Sequence, residues 1–155
     1  MSSTQSDQAG IKGAPEVLRD NKEFVLSELE RCGNVLQLVS KRLRADREVV
    51  LTAVRKWPAN LRFADIDLRN DGEVVLEAVK RVGFALQFAS DSLRSDKAVV
   101  KAALQTDPRF LVDTPAHLVS GVVKLLENRW EILLYASNEL QTDRELIHLA
   151  GGVEV

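Results

Sequence analysis

The chain has one cysteine, Cys32, in 155 residues, which excludes an internal disulfide framework. Aromatic residues are only 5% of the composition, leaving few stacking platforms for single-stranded nucleic acid and few large interface anchors. There are two histidines, His117 and His148, and neither sits at an HExxH spacing or beside a glycine-rich loop. A zinc site, another metal site and a bound cofactor are therefore not expected. No uninterrupted apolar run approaches the ~20 residues of a membrane-spanning helix. Charge of one sign is lacking too. Basic residues number 21 and acidic ones 23, a net of -2 that gives no global attraction to nucleic acid or an anionic membrane. The opening stretch Met1 to Gly10 lacks the charged-then-apolar pattern of a signal peptide. An intracellular, cytoplasmic setting is expected, or an organelle if a transit peptide has been removed.

What the chain does have is an internal repeat of about 25 residues. Arg47-Glu48-Val49-Val50-Leu51-Thr52-Ala53-Val54 returns as Gly72-Glu73-Val74-Val75-Leu76-Glu77-Ala78-Val79. The same step relates Val25, Val50, Val75 and Val100, then Leu36, Leu61, Leu86 and Leu111, then Leu18, Leu43, Leu68 and Leu93. Asn21, Asp46, Asp71 and Asp96 each precede an apolar-periodic run, where a short acceptor side chain can bond the free N–H groups of a helix start. Glu48 and Glu73 add negative charge to the positive end of the helix dipole. In the third repeat Val74, Val75, Ala78, Val79 and Val82 form one stripe at helical spacing, defining a first helix.

Positions 33, 58, 83 and 108 are Gly, Pro, Gly and Pro and read as a hinge, with glycine supplying a left-handed turn and proline opening a second helix. Ala85, Leu86, Ala89 and Leu93 then line one face of that helix, and the small Ala64 and Ala89 suit close contact. Phe84 to Asp96 reappears as Glu131 to Asp143, displaced by 47 rather than 50 residues. This reads as a three-residue deletion in a fourth repeat crowded by Asp107-Pro108 and Thr114-Pro115, with Thr114 capping the next helix and the stack bending there.

The expected architecture is all-α, a right-handed or superhelical α-solenoid of about five two-helix repeats. A flexible polar tail covers residues 1–13 and a single repeat domain 14–150. Its repeats lie near 21–45, 46–70, 71–95, 96–117 and 118–142, with partial capping helices at 14–20 and 143–150, and 151–155 form a C-terminal tail. The pattern D-x-E-V-V-L-x-A-V, then G-x-A-L-x-x-A-S-x-x-L-R-x-D, is met by Asp71 to Asp96 and partly by Asn21 to Asp46. Over roughly residues 16 to 150 the chain resembles a family of tandem helical repeats, a domain of unknown function found in bacteria and protists. The resemblance implies a helical-repeat fold in an intracellular setting and transfers no catalytic residues.

Candidate partner-binding residues come first from one arginine per repeat, Arg19, Arg44, Arg69 and Arg94, interrupted at Gln141. A planar guanidinium fork can grip acidic segments or phosphates. The structural reading, which is preferred, has each arginine engage a helix C-terminus and the next cap, Asp46, Asp71 or Asp96. Lys41, Arg42, Arg44 and Arg47 form the densest basic run, read as a solvated helix end or as contacts for RNA, DNA or an acidic tail. Trp57 and Trp130 adjoin the hinge and either pack between repeats or anchor a partner; beside Arg55, Lys56 and Arg62 an exposed Trp57 would be an interface hot spot. Cys32 reads as a buried or half-buried thiol.

The expected function is a non-enzymatic protein–protein interaction or scaffold module, an accessory subunit of a larger assembly. Alternatives are phosphate-backbone binding through the arginine ladder and a regulatory accessory chain of an enzyme. The repeat reading also sets a stability test. Leu86→Ala should cost ~2 to 5 kcal/mol in denaturant unfolding, and a loss of only a few tenths would remove Leu86 from a stacked core.

Overall fold

Acceptor side chains start the longer helices as the repeat requires. The computed structural model describes residues 10–106 and 129–151, and every regular element among them is helical. Helix Lys22–Arg31 is capped by Asn21, whose Oδ1 accepts from the Phe24 N–H at 3.0 Å. Asp46 caps Arg47–Lys56 through the N–H groups of Glu48 and Val49, at 3.1 and 3.2 Å. Asp71 and Asp96 repeat that geometry on Gly72–Val79 and Lys97–Leu104, and Asp143 repeats it on Arg144–Leu149. Each cap satisfies N–H groups that have no partner within the helix.

The apolar columns form the core. Val25, Val50, Val75 and Val100 are fully buried, as are Leu36, Leu61 and Leu86 and the column Leu29, Val54, Val79 and Leu104. At ~1.5 to 3 kcal/mol for each such side chain removed from water, this burial is the main favourable contribution to folding. Leu43 and Leu68 are buried, whereas Leu18 and Leu93 are half-buried. Leu111 lies outside the described residues.

The second half of each repeat departs from expectation. It is two short pieces rather than one helix. A tight 3₁₀ segment (Leu36–Leu38, Pro58–Phe63 or Gly83–Phe88) is followed by a one-turn α-helix (Lys41–Arg44, Ile66–Arg69 or Asp91–Arg94). Val39, Ala64 and Ala89 between them are extended, with ψ of 164, 153 and 161°. The break has a local cause, because the next residue caps the short helix. Ser40 and Ser90 accept from the N–H groups of Leu43 and Leu93, and Asp65 from Asp67.

Backbone bonds then join each repeat to the next. The carbonyl oxygens of Arg19, Arg44, Arg69 and Arg94 accept from the N–H groups of Ser40, Asp65, Ser90 and Ser137, at 3.1, 2.9, 2.9 and 3.0 Å. The last of these bonds reaches from the expected repeat 71–95 to the expected repeat 118–142. Ser137 stands to Arg94 as Ser90 stands to Arg69, and Lys97 reaches Asp143 at 2.8 Å. The segment 129–141 therefore stands against Arg94 and Lys97 as the second half of an earlier unit stands against its neighbour. Asp107-Pro108, the Thr114 cap and the bend assigned to them lie outside the described residues.

Two further expectations change. Among the described residues only Gly10 and Gly151 have positive φ, so the hinge glycines Gly33 and Gly83 supply no left-handed turn. Gly83 is needed for close approach: a Cβ there would lie 2.2 Å from the Ala103 carbonyl oxygen and 2.7 Å from Ile132 Cδ1. Part of the tail assigned to residues 1–13 is docked. Gly10–Gly13 is a helical turn, Ile11 is buried, and its N–H donates to Glu28 Oε2 at 3.1 Å. The segments expected to cap the two ends contain helices Glu16–Arg19 and Arg144–Leu149. No helix among the described residues is long and apolar enough to cross a membrane.

Gly83→Ala is expected to destabilise the fold by ~1 to 3 kcal/mol through overpacking against helix Lys97–Leu104. Gly33→Ala, whose Cβ would meet Lys56 and Trp57 at 3.4 Å, should cost clearly less. Equal shifts in Tm for the two variants would count against the close-approach account.

Candidate functional site

Charged side chains fall into two periodic sets, and only one engages the helix caps. Lys22, the first residue of its helix, reaches forward to Asp46 at 2.9 Å and Glu48 at 2.7 Å in the next repeat. Arg47 does the same to Asp71 at 3.0 Å and to Glu73, and Lys97 to Asp143 at 2.8 Å and Glu145 at 3.0 Å. One junction lacks the pair on both sides, since Gly72 replaces the cation and Ala98 replaces the glutamate. The expected pairing of the arginine column with Asp46, Asp71 and Asp96 is thus corrected: the caps are met by cations that start helices, at positions the column does not include. The signal was present in the sequence as a basic residue directly after a cap.

These contacts bias ionisation. Partial burial pushes the carboxyls of Asp46 and Asp71 up. Lys22 and Arg47, with the N–H groups of each capped helix, outweigh it and hold both below the usual carboxylate range. Asp143 is lowered chiefly by Lys97. Glu48 and Asp46 raise Lys22, and Asp71 and Glu73 raise Arg47.

The arginine column lies elsewhere, with its side chains half-buried beside the inter-repeat backbone bonds. Its members are not equivalent. Arg19 donates from Nε to the Ala14 carbonyl at 3.0 Å and from Nη2 to that of Lys12 at 3.1 Å. Arg94 donates from Nε to the Tyr135 carbonyl in the next unit and lies 3.4 Å from Asp91. Gln141, where the column ends, bonds the carbonyls of Leu134 and Ala136. Arg44 and Arg69 have buried Nε atoms with no hydrogen-bond partner among the described residues. They line one groove together with Lys41, Phe63, Asp65 and Ile66.

The remaining candidates separate. Arg42 is exposed and paired with Asp20, to its Oδ1 at 3.0 Å and its backbone carbonyl at 2.6 Å. Arg47 belongs to the cap ladder, so the basic run Lys41 to Arg47 does not act as one patch. Trp57 is half-buried, its Cβ packed against Gly33. Trp130's side chain and His117 lie outside the described residues. Cys32 is exposed, which corrects its reading as a buried or half-buried thiol; it is the extended residue that ends helix Lys22–Arg31. Residues missed by the sequence reading are the buried Glu28, which holds Ile11 and Arg31, and the buried Asn60, whose Nδ2 donates to the carbonyls of Gly33 and Ala53. Neither occupies a repeated polar column, so periodicity could not expose them. Arg62 lies over the rings of Phe63 and Phe88, 5.0 and 5.8 Å from their centroids.

The family DUF4116, a domain of unknown function, matches residues 21–69, 46–85 and 71–118, which together span more than half of the chain. The chain belongs to the DUF4116 family. The three DUF4116 matches begin at residues 21, 46 and 71, which are the caps Asn21, Asp46 and Asp71, so the family pattern steps along the chain with the cap ladder. No curated protein and no solved structure matches the chain.

The cap ladder gives a pH test. A depressed carboxyl stabilises the folded state above its unfolded pKa of about 4, and the contribution is lost as pH falls through the folded-state value. Arg47→Gln returns Asp71 toward ordinary behaviour. It should move the acid unfolding midpoint to slightly higher pH while changing stability little at neutral pH, as suits an exposed pair. Acid unfolding curves that superimpose would show that the pair contributes nothing to linkage.

Proposed function

We propose that this DUF4116 chain is a protein-interaction module, without catalysis of its own, whose helical repeats form an open superhelical α-solenoid. The second repeat half in the unit that begins at Asp96 follows the segment 107–128. Support for this reading comes from one contrast. Positions that recur, the caps, apolar columns and arginine carbonyls, are occupied by contacts between units. The first two residues of each one-turn helix are exposed and change from unit to unit: Glu16-Val17, Lys41-Arg42, Ile66-Asp67, Asp91-Ser92 and Asn138-Glu139. Val17 is 80% exposed and Ile66 67%, which the core does not explain. A constant frame carrying a varied exposed row suits recognition of an extended partner segment by successive units. An accessory role in a larger assembly would use the same row.

The test is affinity capture of the tagged chain from its source cells, with and without nuclease. The expected result is a stoichiometric protein partner that survives nuclease and is lost when Val17 and Ile66 are both replaced by Ser. Capture of nucleic acid alone, abolished by nuclease, would replace this reading with phosphate-backbone binding. Turnover of a substrate by the isolated chain would overturn it.

A further inference from the structure

We propose that the groove between the one-turn helices Lys41–Arg44 and Ile66–Arg69 is a docking site for an acidic peptide segment that carries an apolar side chain beside its carboxylate. The proposal rests on the interaction-module reading and names the chemistry of the partner at one place on it. The groove has a volume of about 380 Å³.

Three cations line it, Lys41, Arg44 and Arg69, and none has an ion-pair partner among the described residues. Arg19 and Arg94 occupy equivalent repeat positions, and both spend their Nε–H on backbone carbonyls. Arg44 and Arg69 do not, although their Nε atoms are buried. A guanidinium held by packing at Nε and left without an internal acceptor is already partly desolvated and fixed in orientation. It therefore loses little freedom on meeting a carboxylate, for which its planar fork is matched.

The lining decides between anions. Asp65 is the one carboxylate in the groove, and its Oδ1 accepts from the Asp67 N–H at 3.2 Å, so it serves as the cap of its own helix. Three cations against one anion suit one or two carboxylates. The fixed negative charge of Asp65 disfavours the continuous phosphate row of a nucleic acid. Ile66, largely exposed, and Phe63, half-buried, supply an apolar wall next to the cations, which suits a leucine-like neighbour of the bound acid.

The probe is an end-blocked peptide of alternating leucine and glutamate, titrated into the full chain by calorimetry. Saturable one-to-one binding is expected. It should weaken at least ~10-fold, the effect of losing one charge-assisted hydrogen bond, when glutamine replaces glutamate in the peptide or in Arg44→Gln and Arg69→Gln chains. Ile66→Glu should weaken it as much. Ile66 is exposed and begins its helix, where an acidic residue is favoured, so this variant tests the site without threatening the fold. Arg42→Gln, on the same short helix but outside the groove and paired with Asp20, should bind as the parent does. Absence of saturable binding at millimolar peptide, an equal loss in Arg42→Gln, or tighter binding of poly-uridylate than of the peptide overturns the proposal. The two readings fail differently. A protein partner captured from cells and fully retained by the Arg44→Gln and Arg69→Gln chains removes the groove and leaves the interaction module standing.

Discussion

A single backbone hydrogen bond, from the N–H that precedes a one-turn helix to the arginine carbonyl ending the short helix of the previous unit, organises the described structure. Arg19, Arg44, Arg69 and Arg94 provide the carbonyls, and Ser40, Asp65, Ser90 and Ser137 the N–H groups. Both kinds of group belong to helix ends and have no complete set of partners inside their own helices. By satisfying one another they set each unit against the next at a fixed register. They also explain the break at Val39, Ala64 and Ala89, because a continuous second helix would have consumed that N–H internally. The extended residue is what turns it toward the neighbouring unit.

Around this bond the contributions divide by kind. The fully buried valine and leucine columns supply most of the favourable free energy, in proportion to area removed from water. The ladder from Lys22, Arg47 and Lys97 to the next cap adds little, since its cations are exposed to solvent. Its value lies in specifying which cap faces which helix start. The junction at Gly72 and Ala98 supports this view, since cation and glutamate are missing together while the backbone bond from Ser90 to Arg69 and that from Ser137 to Arg94 persist.

The arginine column makes a related point about sites in repeat proteins. Four residues at one repeat position look alike in sequence, yet their surroundings differ at the ends of the array. Arg19 meets the turn formed by Lys12 to Ala14, and Arg94 meets Tyr135, 41 residues further along the chain. The inner two, Arg44 and Arg69, line one groove together with Phe63 and Ile66. Uniform repetition thus produces a local site because the array has ends and an interruption.

Helix starts, apolar columns and the length of the repeat were legible in the sequence, because caps and helical periodicity are local properties that any neighbour within a few residues can satisfy. Asn21, Asp46, Asp71 and Asp96 could be read as caps before any contact was known, and their acceptor geometry agrees. Tertiary structure alone decided the rest. The split of the second helix depends on a bond to another unit, and the need for glycine at Gly83 depends on the Ala103 carbonyl and Ile132 arriving from elsewhere in the chain. The meeting of Arg94 with Ser137 and of Lys97 with Asp143 is likewise set by the fold rather than by the repeat period. Separation of the free arginines from the engaged ones follows from distances between units that no repeat pattern encodes. Local chemistry determined where helices begin and which faces are apolar, and the meeting of distant backbone and side chains determined how the units join and what they leave available.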